Sequence, residues 1–151
     1  MRKSLTLLAV AAIAVGMLAA GCGGDDDETT TAAPSKQEFI KQADAICAKG
    51  DKELDQAGRE TFGKGQPSKQ EIEQFATDTL VPNIQGQIDG VRALTPPEGD
   101  DEEVSAFLDA AQQGVDKVEQ DPSAIGQRGG PDPFAGTSKL AKQYGFEKCA
   151  G

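Results

Sequence analysis

Apolar side chains recur along this chain at steps of three and four, the spacing that lines one face of a helix, in four separate runs. Phe39, Ala43, Ile46, Gly50 and Leu54, with Ile40 and Cys47 beside them, form the first stripe, and Gly58 marks its expected end. Ile72, Phe75, Ala76, Leu80, Ile84, Ile88 and Val91 form the second, which runs to Thr95-Pro96-Pro97. Pro82 falls inside it. A proline lacks the amide donor and its ring crowds the carbonyl four residues back, so the pattern predicts a helix kinked or split at Pro82. The stripe resumes in phase at Ile84 and Ile88, which favours a bend over an end. Val104, Leu108, Ala111, Val115 and Val118 form the third stripe, closed by Asp121-Pro122. Phe134, Leu140, Ala141 and Tyr144 form a shorter fourth, stopped by Gly145. No stretch alternates apolar and polar residues with β-branched enrichment. The predicted class is all-α, a four-helix bundle of antiparallel neighbours.

The helix starts are marked by their own chemistry. Pro34-Ser35-Lys36-Gln37-Glu38 recurs word for word at Pro67-Ser68-Lys69-Gln70-Glu71. Each is a capping box, in which the Ser side chain accepts the third helical N–H while the Glu reaches back to the Ser amide. A third start is expected at Asp100, with Glu103 in the box position. A fourth is expected at Asp132 as N-cap, with Pro133 as the first helical residue. The stretch from Ser123 to Pro133, with Gly126, Gly129 and Gly130, reads as a loop. Pro34, Pro67, Asp100 and Pro133 stand 33 residues apart, which raises a repeat array. Known arrays of that period place two helices in each unit, whereas each period here holds one helix and one loop. One cap used twice accounts for the pattern.

Ahead of the first box the chain changes character. Arg2 and Lys3 precede an uncharged stretch from Leu5 to Ala20, the pattern of a secretory signal. Its 16 residues fall short of the roughly 20 that a permanent span needs. At Leu18-Ala19-Ala20-Gly21-Cys22 the sequence resembles the lipobox of bacterial lipoproteins, with Ala19 where that pattern more often has Leu. The resemblance implies removal of residues 1–21 and attachment of a thioether-linked diacylglycerol, with an N-acyl chain, to Cys22. Stable anchoring needs more than one acyl chain, which this modification supplies. Residues 22–34 then form a tether: Gly23 to Ser35 holds no Leu, Ile, Val or aromatic and is expected to be disordered. Fully extended it spans about 45 Å. The acidic run Asp25 to Glu28 lacks the spaced ligands and Gly turn of a calcium loop and reads as a solvated spacer. Residues 35–151 form the helical domain.

The chain has three cysteines, an odd number for an exported protein. With Cys22 acylated, Cys47 and Cys149 are the remaining pair, and outside the cytoplasm a disulfide is their expected state.

Composition narrows the function. There is no His in the sequence, which removes Ser-His-Asp and Cys-His catalysis and every His-ligated metal or haem site. The formal net charge is −10, and losing Arg2 and Lys3 with the leader makes the remainder more acidic. So acidic a domain repels nucleic-acid phosphates and anionic headgroups. Gly58 to Lys64 matches a phosphate-binding GxxxxGK pattern, but Gly65 stands where Ser or Thr would hold magnesium. A helix precedes it where a strand is required, so it reads as an interhelix loop. Gly86, Gly90 and Gly114 lie inside helical stripes, where each costs roughly 1 kcal/mol relative to Ala. They mark either a groove for a ligand or partner helix, or close helix packing, and packing is the favoured reading. Asp44, Asp51, Asp55, Glu73, Asp78, Asp89 and Asp109 mostly fall off the apolar stripes and read as solvated faces.

Phe39-Ile-Lys-Gln-Ala-Asp-Ala-Ile-Cys47, Leu94-Thr-Pro-Pro97 and Ala141-Lys-Gln-Tyr-Gly-Phe-Glu-Lys-Cys149 together resemble a group of small secreted lipoproteins of high-GC Gram-positive bacteria. That resemblance implies a helical, disulfide-tied domain and brings no catalytic residue. The expectation is a monomeric, lipid-anchored binding or interaction module on the outer face of the cell membrane. It is not read as an enzyme and needs no cofactor or metal. Its partner is an envelope protein or a small ligand. A carrier holding an apolar or cationic ligand between helices is the second reading, and a carboxylate-only hydrolase the third.

Overall fold

Both Ser-x-x-Glu boxes close as the sequence dictates. Glu38 N–H donates to Ser35 Oγ (3.3 Å) and Glu71 N–H to Ser68 Oγ (3.2 Å), while each Glu carboxylate takes the Ser amide in return. The coordinates, a computed structural model, describe residues 33–63, 65–127 and 129–151. The leader at 1–21, Cys22 and the tether as far as residue 32 lie outside the described residues, as do Lys64 and Arg128. From the two boxes start α1 (Lys36–Phe62) and α2 (Lys69–Phe75). A π-helical turn, Ala76–Leu80, joins α2 without interruption to α3 (Val81–Arg92). Then follow α4 (Asp101–Gln120), a 3-10 helix Pro122–Gly126, and α5 (Ala135–Tyr144). Among the described residues there is no strand, so the class is all-α as expected.

The helix passes through Pro82 instead of ending there. Pro82 has no N–H to give the carbonyl of Asp78, and its ring would crowd that oxygen in a regular α-helix. The π turn containing Asp78 widens the helix at this point, and the Val81 N–H bonds the Ala76 carbonyl five residues back.

Four details differ from the sequence expectation. Gly58 does not stop α1, which continues to Phe62 and is capped by Gly63; Phe62 packs on Phe75 of α2, ring centroids 4.9 Å apart, and this contact sustains the extra turn. The GxxxxGK stretch is therefore largely helix, not an interhelix loop. Asp100 holds the N-cap position of α4 as expected, but its side chain makes no cap hydrogen bond. Asp132 is not the N-cap of α5: its Oδ1 accepts the Phe134 N–H (2.8 Å) in a turn, and Phe134 takes the N-cap place. The expected loop at 123–133 begins with the 3-10 helix.

Packing follows the stripes. Phe39, Ala43 and Cys47 of α1, Ile88 and Val91 of α3, Val104, Leu108, Ala111 and Val115 of α4, and Ala141 of α5 share one core. In it α1 packs on α3, α3 on α4, and α4 on α5. Asn83 of α3 bonds the Gly50 carbonyl of α1 (3.2 Å) while Gly90 meets Ile46, so numbers rise along one helix as they fall along the other and the pair is antiparallel. Phe39, Phe107, Tyr144 and Phe146 cluster with centroids 4.7 to 6.1 Å apart. Phe146 enters this cluster because Gly145, left-handed at φ 109°, turns the chain sharply at the end of α5.

Candidate functional site: an apolar cavity beside the disulfide

The C-terminal tail is held by α1 in two ways. Cys47 and Cys149 form a disulfide across 102 residues with Cα atoms 5.1 Å apart, the pair expected from the sequence. One turn earlier on α1, Asp44 accepts the backbone N–H groups of Glu147 (3.0 Å), Lys148 (2.8 Å) and Cys149 (3.1 Å). Asp44 is thus no mere solvated carboxylate; three amides that no helix would satisfy converge on it.

Beside this junction lies a cavity of about 210 Å³. The disulfide forms its α1 side. Ile84, Ile88 and Val91 line it from α3, and Phe107, Leu108 and Ala111 from α4. Phe134 and Thr137, at the start of α5, close the far side. The walls are overwhelmingly hydrocarbon because four helices present their core stripes here. A residual space of this size survives because the chain has few large side chains to fill it: aromatics are 5% of the residues and Trp is absent.

Five polar residues are among those that line the cavity: Asp51, Gln87, Thr137, Ser138 and Lys148. Thr137, 8% exposed, is the one buried polar or charged residue among the described ones. Its hydroxyl has no hydrogen-bond partner among the described residues, a condition that costs roughly 1–3 kcal/mol until something supplies one. Asp51 of α1 and Lys148 of the tail also line the space. Burial pushes the Asp51 carboxyl above its ordinary range, the nearby Asp55 adds to this, and Lys148 partly opposes it. Asp51 nonetheless stays exposed, as expected of it. Asp55, Asp78, Asp89 and Asp109 are exposed as expected.

The glycines divide. A methyl group at Gly114 would overlap the Phe134 ring, one at Gly50 would overlap Gln87, and one at Gly90 would stand 3.0 Å from Ile46 Cγ2. These positions serve close packing. Gly86 is exposed, with nothing within 4 Å of the same position. None of Gly86, Gly90 and Gly114 lines the cavity, which the helix stripes build instead.

A second polar cluster ties three helix ends together. Tyr144 donates to Asp100 Oδ2 (2.7 Å), Lys36 lies 3.3 Å from the same carboxylate and 3.6 Å from Glu103, and its ammonium stands 3.9 Å from the Tyr144 ring centroid. The Tyr144 bond, with Lys36 adding, holds the Asp100 carboxyl below its usual range. This engagement explains why the Asp100 carboxylate makes no cap hydrogen bond to α4. Among the described residues no group of three His, Cys, Asp or Glu could hold a metal ion, and no helix is long and apolar enough to cross a membrane. Comparison with protein-family models, curated proteins and solved structures finds no match.

Proposed function

We propose that this protein is a lipid-anchored, extracytoplasmic binding module of the bacterial cell envelope, and that it holds a small, largely apolar ligand between its helices. The observation that carries this reading is the cavity of about 210 Å³ walled by core side chains of α3 and α4. A dry space of about 150 Å³ already takes benzene, and in proportion this one takes about eight or nine heavy atoms. Polar groups few in number and placed at an otherwise apolar site are the usual means of orienting such a ligand. Gln87, Thr137 and Ser138 are the uncharged polar side chains that line this one. Among the readings the sequence raised, the carrier is therefore preferred to a docking module for another envelope protein. The helices are read as a four-helix bundle of antiparallel neighbours, with residues 69–92 supplying one member.

The anchoring half of the proposal rests on the leader and on Cys22. Cys22→Ser should move the protein from the membrane fraction to the supernatant or leave an uncut precursor. A Cys22→Ser chain processed and membrane-bound like the native one would overturn it. The binding half is tested by native mass spectrometry of protein gently extracted from cells. A bound mass of roughly 100–200 Da, lost when Ala111→Phe fills the cavity in a variant of unchanged helicity, is the result expected. Bound mass that survives the filling places the ligand elsewhere.

A further inference from the structure

Two apolar spaces share a wall. The cavity beside the disulfide and a surface groove of about 360 Å³ are both lined by Ile84 and Phe134, and by no other residue in common. Leu80, Ile125 and Pro131 are among those that line the groove alone. Of the two shared side chains, Phe134 carries the ring. That ring lies against α4 at Gly114, where even a methyl group would overlap it, and it packs half-buried on the core. The backbone beneath it is held as well, because Asp132 Oδ1 accepts the Phe134 N–H and Phe134 stands at the N-cap of α5. A flat side chain seated in this way forms a fixed end to the cavity, with the groove on its other side.

Resting on the cavity reading above, we infer that the site selects its apolar ligand by length, and that Phe134 is the residue that sets the limit. An apolar body of about eight or nine heavy atoms fills the space, and the Phe134 ring stops a longer one from running on into the groove. Each methylene brought inside tightens binding about fourfold until the ligand meets the ring. A longer molecule leaves its excess in water, where it gains nothing, or pushes the ring off Gly114 and forfeits the contacts made there.

The test uses hexan-1-ol, octan-1-ol and decan-1-ol, a series that grows by two methylenes at each step. Each is titrated calorimetrically into the chain carrying Cys22→Ser, collected from the culture supernatant, and into the same chain carrying Phe134→Ala. In the parent, octanol should bind about tenfold more tightly than hexanol, and decanol no more tightly than octanol. Phe134→Ala, checked for unchanged helicity, should let decanol gain a further factor of about ten, because its chain now runs past the lost ring. Phe134→Leu keeps an apolar side chain over Gly114 and should give a smaller gain in the same direction, which decides the matter where the alanine variant loses helicity. A parent that binds decanol more tightly than octanol, or a ceiling that persists in every variant of unchanged helicity, overturns the length limit at Phe134 while leaving the cavity as a binding site. Binding of none of the three alcohols overturns the cavity reading itself, and with it this inference.

Discussion

The carboxylate of Asp44, within α1, accepts the backbone N–H of Cys149 at 3.1 Å and takes those of Glu147 and Lys148 as well. The non-helical tail past Gly145 is thereby fastened to α1 by hydrogen bonds as well as by sulfur. Asp44→Ala leaves three amides to find water and should cost about 2 kcal/mol in urea unfolding. Asp44→Asn keeps one acceptor oxygen and should cost less. A loss under about 0.5 kcal/mol for the alanine variant would mean that water replaces the carboxylate at no penalty.

The disulfide closes a loop of 102 residues, and on the chain-entropy treatment such a link removes roughly 4–5 kcal/mol of unfolded-state entropy, with measured gains often smaller. Cys47 is buried at 4% exposure, so the bond is part of the core as well as a link. Mass measurement of the non-reduced protein should show both thiols blocked, and reductant should lower the melting temperature. An unchanged melting temperature after reduction would leave the tail held by Asp44, Phe146 and Ala150 alone.

What the sequence makes legible here is what short separations determine. Each capping box is decided within four residues, and the stripes that bury Phe39, Ala43 and Cys47, or Val104, Leu108 and Val115, are decided within one helix. With Cys22 set aside for a lipid, the count alone leaves Cys47 and Cys149 as the pair, whatever their register. The roles of Asp44, Asp51 and Asp100 depend on which residues a hundred or forty positions away arrive beside them, and helical spacing holds no such information. Asp100 shows the conflict directly: its local pattern says cap, and Tyr144 and Lys36 claim the carboxylate instead. The cavity was illegible for the same reason, because it is the mismatch left where four individually regular stripes meet.

Tyr144 reports on that conflict, and as the single tyrosine of the chain it can be titrated alone. Burial raises its ionisation well above the ordinary value, and the bond to Asp100 raises it further. The unfolded phenol ionises first, near pH 10, so this contact contributes stability below that pH and loses it as pH rises further. Asp100 works in the opposite sense. Its carboxyl is depressed, so its contribution is present above the ordinary carboxylate range of about 4 and is lost as pH falls through it. Ultraviolet titration of the native protein should show no phenolate at about pH 10.5. Asp100→Asn should bring the transition part of the way down, because burial remains.

Asp51 has the reverse sign from Asp100. Its folded-state carboxyl is raised by burial and by Asp55, so the folded protein binds a proton that the unfolded chain has already released. Its ionisation therefore lowers stability as pH rises above the ordinary carboxylate range. Asp51→Asn should raise the melting temperature at pH 7. A variant no more stable at pH 7 than the parent would show that Lys148 already offsets the burial of the charge.

Gly114 and Gly86 look alike in sequence, each an interior helix glycine that costs roughly 1 kcal/mol relative to Ala. The fold separates them. Gly86 has open space where a methyl would go, so Gly86→Ala should recover up to about 1 kcal/mol of helix propensity. At Gly114 the methyl would overlap the Phe134 ring. Overpacking of this kind typically costs about 1–3 kcal/mol, which outweighs the propensity gain and makes Gly114→Ala destabilising. Phe134 also lines the cavity, so a displaced ring changes the space the ligand occupies as well. Paired denaturant melts of the two alanine variants should move in opposite directions, and the bound mass seen by native mass spectrometry should fall in the Gly114 variant alone. If both variants are equally stabilised, Phe134 does not rest on the glycine surface and that wall of the cavity is not where the structure places it.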